Sequence, residues 1–282
     1  TATARADANR VKEIWLHDNK PAERARLGMV WGFLKYHHPA ATSGTIDMDA
    51  ELMKVMPRVL GAANTDSAMV AIEKWVDALG KPTPCKKCAL FENGPQTVTG
   101  PDYGMLFINE MPQSLRDKLE YIRVNRTAGA RQHYVQMAAT GNPVFANERS
   151  YTDNALPDAG TRLLGLFRYW NMVQYYSPAR HLASRNRGRM LADMVIEFAN
   201  ATDTLSYQLA CLKLVTRIND GYAVKPQIAD RLEGYRGAYI LPFAAQFVDE
   251  QLIVTACDAG VTTVKPGDII ESLDGLMTLD FL

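Results

Sequence analysis

The sequence has few cysteines, no excess of charge of either sign and no long apolar run. Only 4 Cys occur among 282 residues, too few for a disulfide framework. The 31 Lys and Arg balance the 31 Asp and Glu, so no general electrostatic attraction draws the chain to phosphate backbones or anionic lipids. No stretch approaches the roughly 20 consecutive apolar residues of a membrane span. We therefore expect no nucleic-acid partner and no membrane span.

Sequence motifs for catalysis and cofactor binding are also missing. There is no Gly-x-Ser-x-Gly elbow, no P-loop lysine motif and no Gly-x-Gly-x-x-Gly after a strand. His37 and His38 lie at the predicted end of a helix, where imidazole can cap free carbonyl groups, and the sequence offers no third ligand for a metal. We therefore assign no catalytic, cofactor-binding or metal-binding residue.

Cys85 and Cys88 form the single compact cysteine motif of the sequence, Cys-x-x-Cys. Such a pair can be a disulfide, half a zinc site or a redox centre. Zinc needs four ligands, and no second Cys-x-x-Cys or His-x-x-x-His occurs. A redox motif is expected at the start of a helix in a βαβ setting, and the neighbouring Pro82 and Pro84 argue against that setting. For an exported protein we favour a local disulfide between Cys85 and Cys88, with metal binding as the alternative.

The composition and the apolar periodicity predict an α+β fold. Apolar residues make up 47% of the chain and charged residues 22%, as in ordinary globular proteins. Spacing at three and four residues predicts helices over 23–36, 49–60, 66–79, 113–126, 161–176, 187–200 and 204–218. Short β-branched or aromatic segments predict strands over 103–108, 132–138, 239–243, 246–248, 252–256 and 268–273. For the third helix, Asp66 or Ser67 is the predicted N-cap.

Two helical blocks of the sequence resemble each other. Trp31 and Tyr36 recur 139 positions later as Trp170 and Tyr175, and Pro39-Ala40 recurs as Pro178-Ala179. After a gap of two residues, 64–66 aligns with 201–203. We interpret this as a duplicated helical module, with chance similarity between amphipathic helices as the alternative. The predicted segments are a first helical module (1–80), a loop-rich connector with a helix and short strands (81–157), a second helical module (158–232) and a strand-rich tail (233–282).

The segment 162–179, Arg-Leu-Leu-Gly-Leu-Phe-Arg-Tyr-Trp-Asn-Met-Val-Gln-Tyr-Tyr-Ser-Pro-Ala, resembles a stretch in one branch of the carboxyl-terminal processing (tail-specific) serine peptidases. The segments 32–39 and 119–123 also resemble the amino-terminal region of that branch. In these proteins a helical region precedes a PDZ-like domain, which precedes the catalytic core. The resemblance covers most of the chain.

The tail of the chain resembles a PDZ signature. Lys-Pro-Gly-Asp-Ile-Ile at 265–270, with Gly267 and Asp268, is followed by Asp274-Gly275. The signature describes a Gly turn that leads into a strand, which ends in a tight Asp-Gly turn. Four residues follow Thr278, so we expect a partial PDZ-like domain.

The resemblance implies a function for a larger protein. The family's Ser nucleophile and its Lys or His base lie in the core after the PDZ-like domain, and no residue of this chain matches them. An Asp-x-His element of the relatives corresponds to Asp220-Gly221-Tyr222, where Tyr222 replaces His. We therefore expect the non-catalytic amino-terminal region of a serine peptidase, which positions or gates polypeptide substrate. The alternatives are a helical and PDZ-like protein-binding scaffold, or an inactive peptidase relative.

The resemblance also implies a bacterial protein that is exported to the periplasm or the cell surface. The first six residues contain no initiator Met and no apolar core of a signal peptide, which predicts a mature or trimmed terminus. The resemblance implies no cofactor.

Overall fold

The computed structural model describes residues 21–85, 103–107, 111–126, 132–151, 155–177, 180, 187–218, 232, 235 and 240–278. The chain divides into two compact units, 1–227 and 228–282. The helices whose bounds the structure describes and one small sheet lie in the first unit, and short antiparallel strands lie in the second. The structure is therefore of the mixed α+β class. None of the described helices combines the length and the apolar character needed to cross a bilayer.

The first unit is mainly helical. Its elements are α1 (Pro21–His37), α2 (Pro39–Thr42), α3 (Met48–Leu60), α4 (Thr65–Ala78), α5 (Gln113–Val124), β1 (Val135–Met137), β2 (Pro143–Phe145), α6 (Ala159–Tyr176), α7 (Arg187–Asn200) and α8 (Thr204–Arg217). The seven predicted helices are confirmed, and each bound lies within two residues of its prediction. The predicted strand over 103–108 is wrong, because 103–107 forms a turn in which the Leu106 N–H bonds the Tyr103 carbonyl. β2 pairs with β1 in a region that the sequence predicts as loop.

Polar side chains fix where the helices begin. The Asp47 carboxylate accepts from the backbone N–H groups of Asp49 and Ala50 at the start of α3. α4 begins with a capping box, in which the Asn64 side chain accepts from the Ser67 N–H and the Ser67 hydroxyl accepts from the Asn64 N–H. The predicted N-cap at Asp66 or Ser67 is therefore wrong, because both residues lie inside the first turn.

Two pairs of helices, one helix from each block, start at positions 139 residues apart. α3 and α7 begin 139 positions apart, at Met48 and Arg187, and α4 and α8 also begin and end 139 positions apart. The N-cap of α8 is Asp203, which forms a capping box with Ser206 and lies 139 positions after Asn64. The predicted two-residue gap, which aligned Asp203 with Asp66, is therefore wrong. The buried residues at the same separation are Leu52, Val55, Met56, Val59 and Leu60 of α3 and Leu191, Met194, Val195, Phe198 and Ala199 of α7.

The helices of the first unit share one hydrophobic core. Buried side chains from Ala25 to Ile218 form one continuous cluster, which includes Leu115 of α5 and Val135 of β1. Trp31 lies fully inside it and donates its indole N–H to the Met48 carbonyl, 2.6 Å away. The predicted segments 1–80, 81–157 and 158–232 therefore contribute to one core.

Helices α1 and α6 approach each other at two glycines. A Cβ atom on Gly28 would lie 2.4 Å from Phe167 Cδ1, and one on Gly32 would lie 1.9 Å from Asn171 Cγ. The Asn171 amide donates to the Gly28 carbonyl at 3.0 Å and to the Phe167 carbonyl at 2.8 Å. Glycine is therefore required at both positions for the two backbones to come this close. Gly28 and Gly32 precede Phe167 and Asn171 by 139 residues, so corresponding positions of the two blocks face each other.

Two buried side chains, at positions 139 residues apart in the two blocks, form hydrogen bonds at opposite ends of two helices. Glu23 accepts a hydrogen bond from the Thr65 hydroxyl at the start of α4. Arg162, 139 positions later, donates at 2.6 Å to the carbonyls of Phe198 and Ala199 in the last turn of α7. A helix dipole favours a carboxylate at its N-terminus and a cation at its C-terminus. The opposite charges of the two residues therefore suit the different helix ends that they contact.

The second unit contains two small antiparallel arrangements. Its strands are β3 (Phe243–Val248), β4 (Gln251–Cys257), β5 (Ile269–Ile270), β6 (Ser272–Leu273) and β7 (Leu276–Met277). β3, β4 and β5 form a three-stranded sheet in that order, and β6 pairs with β7. Asp249 and Glu250 have φ angles of 47° and 65° and make the two-residue turn between β3 and β4. The strand predicted over 246–248 lies within β3. The strand predicted over 239–243 is wrong where described, because 240–242 are not in a strand and β3 begins at Phe243. The strand predicted over 268–273 divides into β5 and β6.

We predict that Gly32→Ala lowers the free energy of unfolding by about 1–3 kcal/mol, because the new methyl group would displace Asn171 and weaken its two hydrogen bonds. Gly165→Ala, in α6, is the matched control. Its Cβ would meet no atom nearer than the Tyr207 hydroxyl at 3.8 Å, so we expect stabilisation by about 0.5–1 kcal/mol. Urea unfolding measures both changes. Equal effects of the two substitutions would contradict the close approach of α1 and α6.

Candidate functional site

Four charged side chains form a network inside the first unit. They come from three helices and from the segment after β2: Lys35 (α1), Asp49 (α3), Glu148 and Arg168 (α6). Lys35 Nζ lies 2.7 Å from Glu148 Oε1 and 3.6 Å from Asp49 Oδ1. Arg168 pairs with Asp49 and, through Nε at 2.9 Å, with Glu148 Oε2. Two positive charges therefore neutralise two negative charges.

The Lys35 ammonium is enclosed by aromatic rings as well as by carboxylates. Its side chain has no exposed surface, and Nζ lies 4.8 Å from the Trp31 ring centroid and 4.3 Å from that of Tyr134. Burial lowers the pKa of Lys35, whereas the negative charges of Asp49 and Glu148 raise it. Burial also raises the pKa of Tyr134 to about 12. Because Lys35 cannot reach solvent, we assign this network to the stability of the unit and not to binding.

The two neighbouring histidines bond backbone carbonyl groups, as the sequence predicts. His37 Nδ1–H donates to the Phe33 carbonyl and Nε2 accepts from the Tyr103 hydroxyl, both at 2.9 Å. Complete burial lowers the pKa of His37 to about 3, so the ring is neutral at pH 7. His38 donates from Nε2 to the Gly80 carbonyl, and its Nδ1 accepts from a backbone N–H. Across the described ranges, no three His, Cys, Asp or Glu side chains come together in a way that could hold a metal.

Cys85 is disulfide-bonded in the structure, and its backbone N–H donates to Asn125 Oδ1 at 2.8 Å, just after α5. Cys88 lies outside the described residues, so the pairing of Cys85 with Cys88 stays a prediction. Cys211 and Cys257 are free thiols. Burial raises the pKa of the Cys211 thiol, which makes it less reactive.

A cavity of about 480 Å³ lies between the end of α4 and α5, and we call it the α4–α5 cavity. Its apolar lining comes from three buried side chains, Val76, Pro82 and Ile122. More exposed residues at its rim are Asp77, Lys81, Ser114, Asp117, Lys118 and Tyr121. This volume lies within the range of about 300–1,000 Å³ of known ligand pockets.

The wall formed by residues 80–82 is held in place by three hydrogen bonds. Gly80 has a φ angle of 86°, and its N–H bonds the Asp77 carbonyl at 3.1 Å where α4 ends. Its own carbonyl accepts from His38, and the Pro82 carbonyl accepts from the Tyr121 hydroxyl at 3.1 Å. The segment is therefore fixed both to the end of α1 and to α5.

The charges at the rim of the cavity are unequally paired. Lys118 Nζ lies 2.8 Å from Glu73 and 2.7 Å from Asp77, and hydrogen bonds to these carboxylates raise its pKa. The Asp117 carboxylate accepts from the Gln113 amide at 2.6 Å. Lys81 Nζ instead lies 4.4 Å from the Tyr121 ring centroid. The lining thus combines an apolar surface with charged and hydroxyl side chains, which is typical of ligand-binding pockets.

The predicted turn residues of the tail lie in two turns of the second unit. Gly267, with a φ angle of 94°, donates its N–H to the Val254 carbonyl at 2.8 Å, and the Asp268 carbonyl accepts from the Val254 N–H at the same distance. Asp274 and Gly275, with φ angles of 50° and 82°, form the two-residue turn between β6 and β7. A Gly turn therefore precedes β5, and an Asp-Gly turn joins the last two strands.

Searches for similar proteins found no matching family model, no matching curated protein and no matching solved structure. The geometry of the described residues therefore carries the functional assignment together with the sequence motifs.

Sequence reasoning missed the charge network and the α4–α5 cavity. One signal for the network was present, because Lys35 follows Trp31 by four residues and so lies on the buried face of α1. A charge on such a face predicts a buried partner. No comparable signal marks the cavity, because Lys81 and Tyr121 come together only through the tertiary fold.

We predict that Lys35→Met lowers the free energy of unfolding by about 3–5 kcal/mol, because Asp49 and Glu148 then share only Arg168. Lys54→Met is the control, since Lys54 is exposed in its pair with Glu51 and should change stability by about 1 kcal/mol or less. The double substitution Lys35→Met/Glu148→Met should recover part of the loss. Chemical denaturation followed by tryptophan fluorescence tests this, and equal effects of Lys35→Met and Lys54→Met would refute it.

We also predict a stability loss in acid that depends on His37. The folded-state pKa of about 3 lies below the ordinary value of 6.5, so below pH 6.5 the unfolded chain binds a proton at His37 that the folded chain does not. The stability present above pH 6.5 should therefore fall by about 1.4 kcal/mol per pH unit toward pH 3. Between pH 7 and pH 4.5, the wild type should lose about 2–3 kcal/mol more than His37→Gln. Parallel pH profiles of the two proteins would contradict the buried neutral imidazole.

Proposed function

We propose that the chain is the non-catalytic amino-terminal region of an exported serine peptidase of the carboxyl-terminal processing family, where it positions or gates polypeptide substrate. One observation carries this proposal. The family-like segment 162–179 is followed, at the family's spacing, by the Gly267-Asp268 and Asp274-Gly275 turns in a separate compact unit. Most of that segment lies on α6, one of the most extensively buried helices.

The proposal includes a duplicated helical module. The common separation of 139 residues supports the duplication, because it relates helix bounds, capping boxes and buried positions without a gap. The contacts of Gly28 with Phe167 and of Gly32 with Asn171 support it further. In a pair of units related by a twofold axis, corresponding residues meet at that axis.

The proposal also includes a partial PDZ-like domain in the second unit. The Gly turn before β5 and the Asp-Gly turn before β7 support it, since they have the geometry that the signature describes.

The described charges and thiols support a non-catalytic role in an oxidising compartment. The Lys35 ammonium is closed to solvent and paired with carboxylates, so it is not available to a substrate. The disulfide at Cys85 supports export to the periplasm or the cell surface, because disulfides persist mainly outside the reducing cytosol. No cofactor is part of the proposal.

A protein-binding scaffold without a peptidase core is the second candidate function. The α4–α5 cavity favours it, because its apolar lining and open rim suit a polypeptide ligand without any attached enzyme. The two candidates differ in what the same chain is joined to. The scaffold needs no catalytic domain, whereas the peptidase region does.

The coding sequence beyond Leu282 tests the proposal. We expect it to continue into an α/β core with a Ser-x-x-x-Lys motif or a Ser and His pair. A stop codon, or a continuation without such residues, would favour the scaffold. As a biochemical check, incubation of the 282-residue chain with an unfolded protein should give no cleavage. Turnover that a serine-directed inhibitor blocks would contradict the non-catalytic assignment.

A further inference from the structure

We infer that the α4–α5 cavity binds an extended polypeptide segment by one bulky apolar side chain, while an adjacent acidic side chain of that segment pairs with Lys81. The inference rests on the proposed role in positioning polypeptide substrate, and it names the surface and the residue chemistry. It concerns the first unit alone.

The size and lining of the cavity define the apolar part of the ligand. A volume of about 480 Å³ accommodates a phenylalanine or leucine side chain together with part of its backbone. Val76, Pro82 and Ile122 supply the apolar surface, and all three are buried in the unit. Burial of an aromatic side chain against such a surface removes water from both partners and favours binding.

Among the described residues of the rim, Lys81 is the one cation without an ion-pair partner. Lys118 already pairs with Glu73 and Asp77, and the exposed Asp117 carboxylate, which accepts a hydrogen bond from the neutral Gln113 amide, keeps its negative charge. Lys81 is exposed and contacts the Tyr121 ring, and no described carboxylate lies within ion-pair distance of it. A ligand carboxylate can therefore pair with Lys81 without displacing an existing partner.

An acidic side chain fits this rim better than the carboxyl end of a peptide. Chain ends are captured by several converging backbone N–H groups. Here the Gly80 N–H is already bonded to the Asp77 carbonyl, and Pro82 has no N–H. The single flexible ammonium of Lys81 matches one carboxylate carried on a side chain.

The test is fluorescence anisotropy of a labelled peptide, blocked at both ends, that contains Phe-Glu between Gly and Ser residues. We expect saturable binding to the 282-residue chain. Replacement of Phe by Ala should weaken the binding by at least about tenfold, since the buried side chain is lost. Replacement of Glu by Gln should weaken it by about two- to fivefold, as for a rim ion pair, with a smaller effect in high salt.

Protein variants locate the binding. Ser114→Trp should abolish it by filling the cavity from the rim, whereas Ser114→Ala should retain it. Lys81→Glu should reverse the preference from Phe-Glu to Phe-Lys peptides. Lys74→Glu is the control and should leave the preference unchanged, because Lys74 is exposed on α4 and does not line the cavity. Circular dichroism and urea unfolding of each variant establish that the fold is intact.

Three results would overturn the inference. The first is equal binding by the wild type and a folded Ser114→Trp variant. The second is an unchanged peptide preference in Lys81→Glu. The third is tighter binding of a Phe peptide with a free carboxyl end and no Glu than of the blocked Phe-Glu peptide. The last result would assign the carboxylate to a chain end. Failure here leaves the coding-sequence test of the peptidase region unaffected. Binding by a chain whose coding sequence lacks a catalytic core would support the cavity and refute the peptidase assignment.

Discussion

The first unit depends on the close approach of α1 and α6, which the absence of side chains at Gly28 and Gly32 permits. The approach brings Asn171 into hydrogen-bonding range of the α1 backbone. One turn further along α1, Lys35 lies near enough to share carboxylates with Arg168 of α6. The packing of two helices and the pairing of four charges are therefore parts of one arrangement.

The charge network explains how a lysine can occupy the core of this unit. Removing an ammonium from water is costly, and nearby carboxylates offset that cost only when the geometry is good. Lys35 has two carboxylates and two aromatic faces around it. Glu148 also fixes the segment after β2 against α1 and α6. The network thus connects a non-helical segment to the helices and defines where it packs.

Sequence reasoning located the helices well because caps and apolar periodicity are local signals. It misplaced the start of α4 because Asn64, Asp66 and Ser67 are all good N-cap residues, and packing decides among them. It missed β2, whose strand includes Pro143, and it predicted a strand where buried Leu106 lies in a turn. The turns at Gly267 and Asp274-Gly275 were predictable because positive φ angles restrict the residue choice. The α4–α5 cavity was not, since α4 and α5 are separated by more than thirty residues.

The hydrogen bonds that hold residues 80–82 have a consequence for how the cavity can change. The wall is fixed by the His38 ring and the Tyr121 hydroxyl through backbone carbonyls, and those bonds do not use the side chains of Lys81, Ser114 or Asp117. These three residues are exposed and contribute nothing to the hydrophobic core. Substitutions at them can therefore alter which ligands are accepted while the shape of the wall persists. The cavity is a place where specificity and stability can evolve separately.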